Sequence, residues 1–232
     1  MAEPSELIPG DARRVLVFDP NPLMRDLLVL SLRSHNFIAE AAATPEIAWS
    51  ELVALDPDAV VIEVNINSCE SGVSFAEAML KHSPGLGVVF VTDVAHSRVV
   101  DPQRTTIPSG AAYLNKSALS GVNEIVDALE AVLRESADVP RHDLRDGAKW
   151  AELSSKQIDV LRLIAEGRSN KDIAQLRGTQ VRSVEALIGR TFDQLGIDEL
   201  GPEGNRRVAA ARHYLAACGA GAGAGLQAMS SV

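Results

Sequence analysis

Short, wholly apolar runs punctuate the first half of the chain: Val15–Phe18 (VLVF), Ala59–Ile62 (AVVI), Gly87–Val91 (GVVFV) and Ala111–Leu114 (AAYL), with a weaker one at Phe37–Ala41. Each is too short for a buried helix and lacks the polar alternation of a half-solvated strand. Each therefore predicts a strand covered on both faces, as in a parallel sheet. Helical periodicity fills the gaps. Leu23, Leu27, Leu28 and Leu30 fit one helix, and Thr44 with Pro45 offers a cap and first-turn proline to a second that carries Trp49, Leu52 and Val53. Val122, Ile125, Val126, Leu129 and Val132 form the stripe of a last helix. Alternating strands and helices predict an α/β fold, a doubly wound five-stranded parallel sheet. The stretch from Ala95 to Pro108 is poorly periodic and holds Pro102, which leaves its helix open.

From Ser136 to Lys149 the chain is polar, with Pro140 and Gly147, as a linker would be. Beyond it the pattern becomes all-helical: Ser155 to Glu166 closed by Gly167, Asn170 to Leu176 closed near Gly178, Gln180 to Leu195 closed by Gly196, and Arg206 to Ala217 carrying Val208, Ala211 and Leu215. Ser169 and Asp172 have the spacing of a capping box. The expected organisation is an N-terminal tail at 1–12, an α/β domain at 13–136, a linker at 137–150, an all-α four-helix domain at 151–217, and a disordered tail at 218–232 that includes the glycine-rich GAGAGAG stretch.

The net charge of −9 argues against a uniformly basic nucleic-acid binder, but the charge is unevenly spread. Up to Asp138 there are 9 basic against 20 acidic residues; beyond it there are 13 against 11, so the second domain is mildly basic. Cys69 and Cys218 stand far apart with no Cys-x-x-Cys pair, which points to neither a disulfide framework nor a zinc site. No apolar run reaches the roughly 20 residues that span a bilayer, and the first residues lack signal-peptide character; a cytoplasmic protein without membrane contact is expected.

Ligands of an open parallel sheet gather at the carboxyl ends of its strands. Asp19 and Pro20 follow the first run, Glu63 the third, Thr92 the fourth and Lys116 the fifth. Together they resemble the receiver domain of response regulators. That resemblance implies a flavodoxin-like fold in which two acidic residues after strand one hold Mg²⁺, an aspartate ending strand three accepts phosphate, and a threonine and a lysine contact it. Asp19, Thr92 and Lys116 match. Pro20, which has no ligand oxygen, and Glu63, one methylene longer than aspartate, depart. No cofactor is expected, and Mg²⁺ binding should be weakened. Three outcomes stay open: Glu63 reaches Thr92 and Lys116 and holds them as an acyl-phosphate would, the pocket is inert, or some phosphorylation persists. Tyr113 occupies the position of the receiver's switch aromatic, though it is equally readable as a tyrosine packed on the sheet.

Leu153 to Ile197 resembles the helix-turn-helix of the LuxR/NarL/FixJ regulators at Leu161, Ala165, Gly167, Ser169, Asn170, Lys171, Ile173, Ala174, Val184, Leu195 and Gly196. The resemblance implies that the second helix of the motif enters the major groove. Its inward stripe would be Val184, Ile188, Phe192 and Leu195. Arg182, Glu185, Ala186, Gly189 and Arg190 then face DNA, with Arg168 and Lys171 gripping phosphates at the edge. Glu185 stands where the family has lysine and Leu187 where it has histidine, while Arg177 and Thr179 replace apolar residues, which weakens the case for apolar packing around the turn. The combined expectation is a non-enzymatic transcription regulator of double-stranded DNA, acting as a homodimer or as a heterodimer with another response regulator. The final helix is the family's usual dimer contact. The alternatives are a protein-interaction regulator with weak DNA binding and a sensor of a small ligand in the altered pocket.

Overall fold

The structure is a computed structural model, described here for residues 12–66, 71–99, 107–144, 148–197 and 205–219. It packs as two units, one made of residues to Val91 with Pro108–Pro140, the other of Thr92–Ile107 with Arg141 onward. The Cys69 position, the C-terminal tail beyond Gly219 and the 198–204 connection lie outside the described residues.

Five parallel strands, β1 (Arg14–Phe18), β2 (Ile38–Ala42), β3 (Ala59–Ile62), β4 (Gly87–Thr92) and β5 (Ala112–Asn115), lie in the order β2-β1-β3-β4-β5. The predicted runs supply all five within about a residue. Val15 pairs with Ala39 on one side and Ala59 on the other, so β1 sits where the order reverses. Crossover connections bring the carboxyl ends of the strands to one edge, which positions everything described below.

Helices α1 (Pro22–Ser34) and α4 (Asn123–Leu133) cover one face, with Leu28, Val29, Leu32, Ile125, Leu129 and Val132 packed on Val15, Val17 and Val89. Helices α2 (Pro45–Leu55) and α3 (Gly72–His82) cover the other, where the Phe75 ring meets Phe18 at 5.3 Å and Trp49 at 6.1 Å. Asn21 caps α1 through the N–H groups of Leu23 and Met24, and Thr44 caps α2 at Ile47. The expected helix forms at α1, and of its four predicted leucines Leu28 is the buried one. Leu23, Leu27 and Leu30 are 69%, 51% and 64% exposed, while Leu28, Val29 and Leu32 go inside. In the β4–β5 connection the described residues hold a 3-10 turn at Ser97–Val99 rather than an α-helix.

The second unit contains a short α5 (Ala148–Glu152) ahead of the four predicted helices α6 (Ser155–Ala165), α7 (Asn170–Leu176), α8 (Val181–Leu195) and α9 (Arg206–Ala217). Ile158, Leu161, Ile173, Ala174, Val184, Phe192, Leu195, Ala210 and Tyr214 are buried among them. On α9 the buried stripe is Ala210, Tyr214 and Ala217, whereas Val208 is exposed. Within the polar stretch before α5, His142 and Asp143 are buried. Asp143 accepts two bonds from the Arg141 guanidinium at 2.8 Å and one from the Ser97 hydroxyl at 3.2 Å, and His96 stacks on Trp150 at 5.4 Å. No described helix is long and apolar enough to cross a membrane.

Candidate strand-end pocket and nucleic-acid interface

Asp19 leaves β1 and Glu63 leaves β3 as adjacent, buried carboxylates at the point where strand order reverses. Lys116, the first residue after β5, joins them: its Nζ donates to Glu63 Oε2 at 2.6 Å and to Asp19 Oδ2 at 3.2 Å. The remaining oxygens are also engaged. Asp19 Oδ1 accepts the Asn21 N–H at 2.8 Å and Glu63 Oε1 accepts the Asn65 N–H at 3.0 Å. Burial works against the charged Lys116 ammonium, but Glu63 and then Asp19 outweigh it and hold the lysine above its ordinary range. The pocket therefore contains a fixed cation bridging two anions.

Pro20 contributes only its carbonyl, which receives an Arg25 guanidinium N–H at 3.4 Å beside the Asp19 carbonyl at 2.8 Å. Thr92 is fully buried at the end of β4, and its hydroxyl accepts the Val94 N–H at 3.2 Å. Tyr113 is fully buried in β5 with its ring 6.0 Å from that of Phe90, which places it against the sheet. Sequence reasoning missed Gly72. A Cβ there would stand 2.0 Å from the Glu63 carbonyl oxygen, and the Gly72 N–H donates to Val64 at 2.7 Å. The helix start thus closes directly over the backbone that carries Glu63. The one available signal was a glycine after the capping Ser71.

In the second unit, α7 begins in the expected capping box: the Ser169 hydroxyl accepts the Asp172 N–H at 3.2 Å, and the Asp172 carboxylate accepts the Ser169 N–H at 3.0 Å. The Ser169 hydroxyl first, and its N–H next, hold the Asp172 carboxyl below the usual range. The turn into α8 passes through Gly178 at φ +58°, which L side chains rarely adopt. Arg177, which replaces an apolar residue of the family at this turn, ties it to α6 through Asp159 at 2.5 Å. Arg207, also missed, reaches from α9 to Asn170 Oδ1 at 2.8 Å and to the Arg168 carbonyl, fixing the start of α7.

Helix α8 divides as predicted. Val184, Ile188, Phe192 and Leu195 are buried together with Thr191; Arg182, Glu185, Ala186 and Arg190 are exposed, and Gly189 is half-buried between them. Lys171 and Arg168 are exposed at the start of the motif, Arg168 lying 3.7 Å from Glu166. Most other arginines of the unit are committed: Arg162 to Asp159 and Glu166, Arg177 to Asp159, Arg206 to Asp193. Among the described residues, Lys171, Arg182, Glu185 and Arg190 enter no ion pair. Lys171 lies at the start of α7 beside Asp172, whose carboxyl it helps to hold down, while Arg182 and Arg190 are exposed cations on either side of Glu185 on α8 and are suited to a polyanion.

Residues 15–130 match the response regulator receiver domain, and residues 151–200 match the bacterial regulatory proteins of the luxR family. The chain is 25% identical over 198 residues to the transcriptional regulatory protein TdiR of Thauera aromatica, covering 83% of this chain and 84% of that protein. It is 28% identical over 193 residues to the transcriptional regulatory protein MctR of Rhizobium johnstonii, covering 79% and 87%. A structure of two RcsB dimers bound to two parallel DNAs shares the fold at a TM-score of 0.61 and 18% identity, over 89% of this chain and 99% of that one.

Proposed function

The chain belongs to the response regulators, a receiver domain followed by a luxR-type DNA-binding domain, and from that premise we propose that it controls transcription without accepting a phosphoryl group. DNA binding and transcription control belong to the family. Freedom from phosphorylation is the further step, and one observation carries it: Lys116 Nζ lies 2.6 Å from the Glu63 carboxylate. The lysine that would neutralise an incoming phosphate is held by a built-in anion instead. Glu63 supplies one negative charge where an acyl-phosphate supplies about two, which is enough to keep the ammonium in place.

Mg²⁺ binding should be weakened. A small hard cation is held in near-octahedral array by one or two carboxylates with water completing the shell. Pro20 offers no side-chain oxygen, and both oxygens of Asp19 and of Glu63 are already hydrogen-bonded. Glu63 is also an imperfect nucleophile here, because the longer side chain moves its oxygen away from the in-line position that an aspartate would hold.

On DNA, α8 enters the major groove with Arg182 and Arg190 directed at base edges or phosphates, while Lys171 and Arg168 take phosphates at its flank. A dimer places two such helices on successive half-sites, about one helical turn apart. Helix α9, which keeps Val208 and Arg212 exposed, is the surface offered to the second copy.

The test is a band shift on genomic fragments with protein that has never met a phosphodonor, run beside intact-mass analysis after acetyl phosphate with Mg²⁺. Binding without treatment, and no phosphate adduct, are expected. Robust labelling, or binding that appears only after labelling, overturns the proposal. A shift that appears only when a second response regulator is added supports the heterodimer instead.

A further inference from the structure

Gly189 sits in the middle of a 15-residue helix, where glycine is less stable than alanine because it loses more backbone freedom on folding. Its backbone is ordinary helix: it is absent from the glycines with positive φ. A Cβ built on it would meet nothing within 4 Å. Neither conformation nor packing within the described residues requires a glycine there. A glycine that the fold does not require leaves α8 a spot without a Cβ, where an outside surface can approach more closely than a methyl group allows.

Glu185 precedes Gly189 by one helical turn on the same exposed face. Arg182 lies one turn earlier, yet the two form no ion pair. The carboxylate is thus bare on a face whose remaining charges, Arg182 and Arg190, are positive. Set against phosphate it is repelled. Set in the major groove it has one well-matched base: cytosine presents an amino donor there, whereas guanine shows two acceptors, thymine an acceptor and a methyl, and adenine an acceptor beside its donor.

We propose that Glu185 and Gly189 set the base preference of this helix, Glu185 accepting a hydrogen bond from a cytosine amino group and Gly189 providing the depth of seating that brings the carboxylate to it. Each half-site then carries a C·G pair opposite Glu185, flanked by positions that Arg182 and Arg190 contact. The inference rests on the reading of α8 as the DNA-binding helix.

The test is selection from a random duplex pool with the full-length protein and with E185A, E185Q and G189A, followed by affinity and thermal unfolding measurements. Unaltered protein should enrich one site with a dominant C·G pair in each half. E185A should lose preference at that pair alone and bind unrelated duplex more tightly, because a repulsive charge is gone. E185Q should move the preference towards adenine, the base that an amide pairs with bidentately. G189A should bind the selected site at least about tenfold more weakly while unfolding at the same or a higher temperature. The inference falls if E185A keeps the same preference, if G189A binds normally, or if G189A unfolds earlier, which would place the role of the glycine inside the fold. If the unaltered protein enriches no site, the DNA reading of α8 falls as well, so the two failures are distinguishable.

Discussion

At the scale of single residues, Lys116 carries the greatest consequence. Its side chain is 12% exposed and its ammonium bridges two buried carboxylates. Replacing Lys116 with methionine leaves Asp19 and Glu63 facing each other without a counter-ion, and breaking a buried ion pair in this way costs about 3 kcal/mol or more. Urea unfolding of K116M should show that loss, and a midpoint equal to that of the unaltered protein would remove Lys116 from the centre of the pocket. The pH dependence has a definite sign. The folded-state value of Lys116 is raised, so its stabilisation is fully present below the unfolded-state lysine value of about 10.5 and is lost as pH rises through the higher folded value. The unaltered protein should therefore lose stability steeply on the alkaline limb, and K116M should lack that component. The residues of this pocket were legible because strand ends are the predictable part of a parallel sheet: Asp19, Glu63 and Lys116 each follow an apolar run directly or nearly so. Gly72 was not legible, since its necessity arises from the Glu63 carbonyl oxygen lying 2.0 Å from where its Cβ would be, a contact made only after folding.

At the scale of elements, α1 shows where periodicity stops being informative. Leucines occupy both faces of this helix, so the pattern establishes a helix without choosing the side that packs. The sheet chooses Leu28, Val29 and Leu32. Leu28→Ala should cost about 3 kcal/mol, as buried leucines do, while Leu23→Ala, at a site 69% exposed, should stay within about 0.5 kcal/mol. Equal losses in thermal or urea unfolding would return Leu23 to the core. The polar stretch before α5 was opaque for a different reason. Hydropathy reads Arg141, His142 and Asp143 as solvated, yet Asp143 is buried because a bidentate guanidinium and a serine hydroxyl satisfy it. Pairing of one polar group with another leaves no trace in a hydropathy pattern. The same blindness applies to Arg177, whose bond to Asp159 replaces the apolar packing expected of that turn. Helix α8, by contrast, was legible in its main division, because its apolar residues recur three or four apart and its charges fall between them; buried Thr191 escaped that pattern.

At the scale of the whole molecule, a net charge of −9 sets how the protein meets DNA. Residues up to Asp138 carry −11 of it and the remainder +2, so attraction to the duplex originates in the second half alone while the first half opposes it. Non-specific binding should then be weak, and affinity should depend on the few cations that α7 and α8 expose. Each phosphate neutralised contributes a slope of roughly 0.9 to the fall of log affinity with log salt. Lys171, exposed at the start of α7, is placed to meet a phosphate rather than a base. Lys171→Ala should therefore weaken binding about equally for every sequence and reduce the magnitude of the salt slope by about one for each protomer on the DNA. Loss at an arginine that reads a base should instead concentrate on the preferred site and reduce discrimination between sequences. Titrating one preferred and one scrambled duplex across a range of salt concentrations separates the two cases. A K171A protein with an unchanged slope on both duplexes would take Lys171 out of the interface and leave the positive charge of the second half to some other surface.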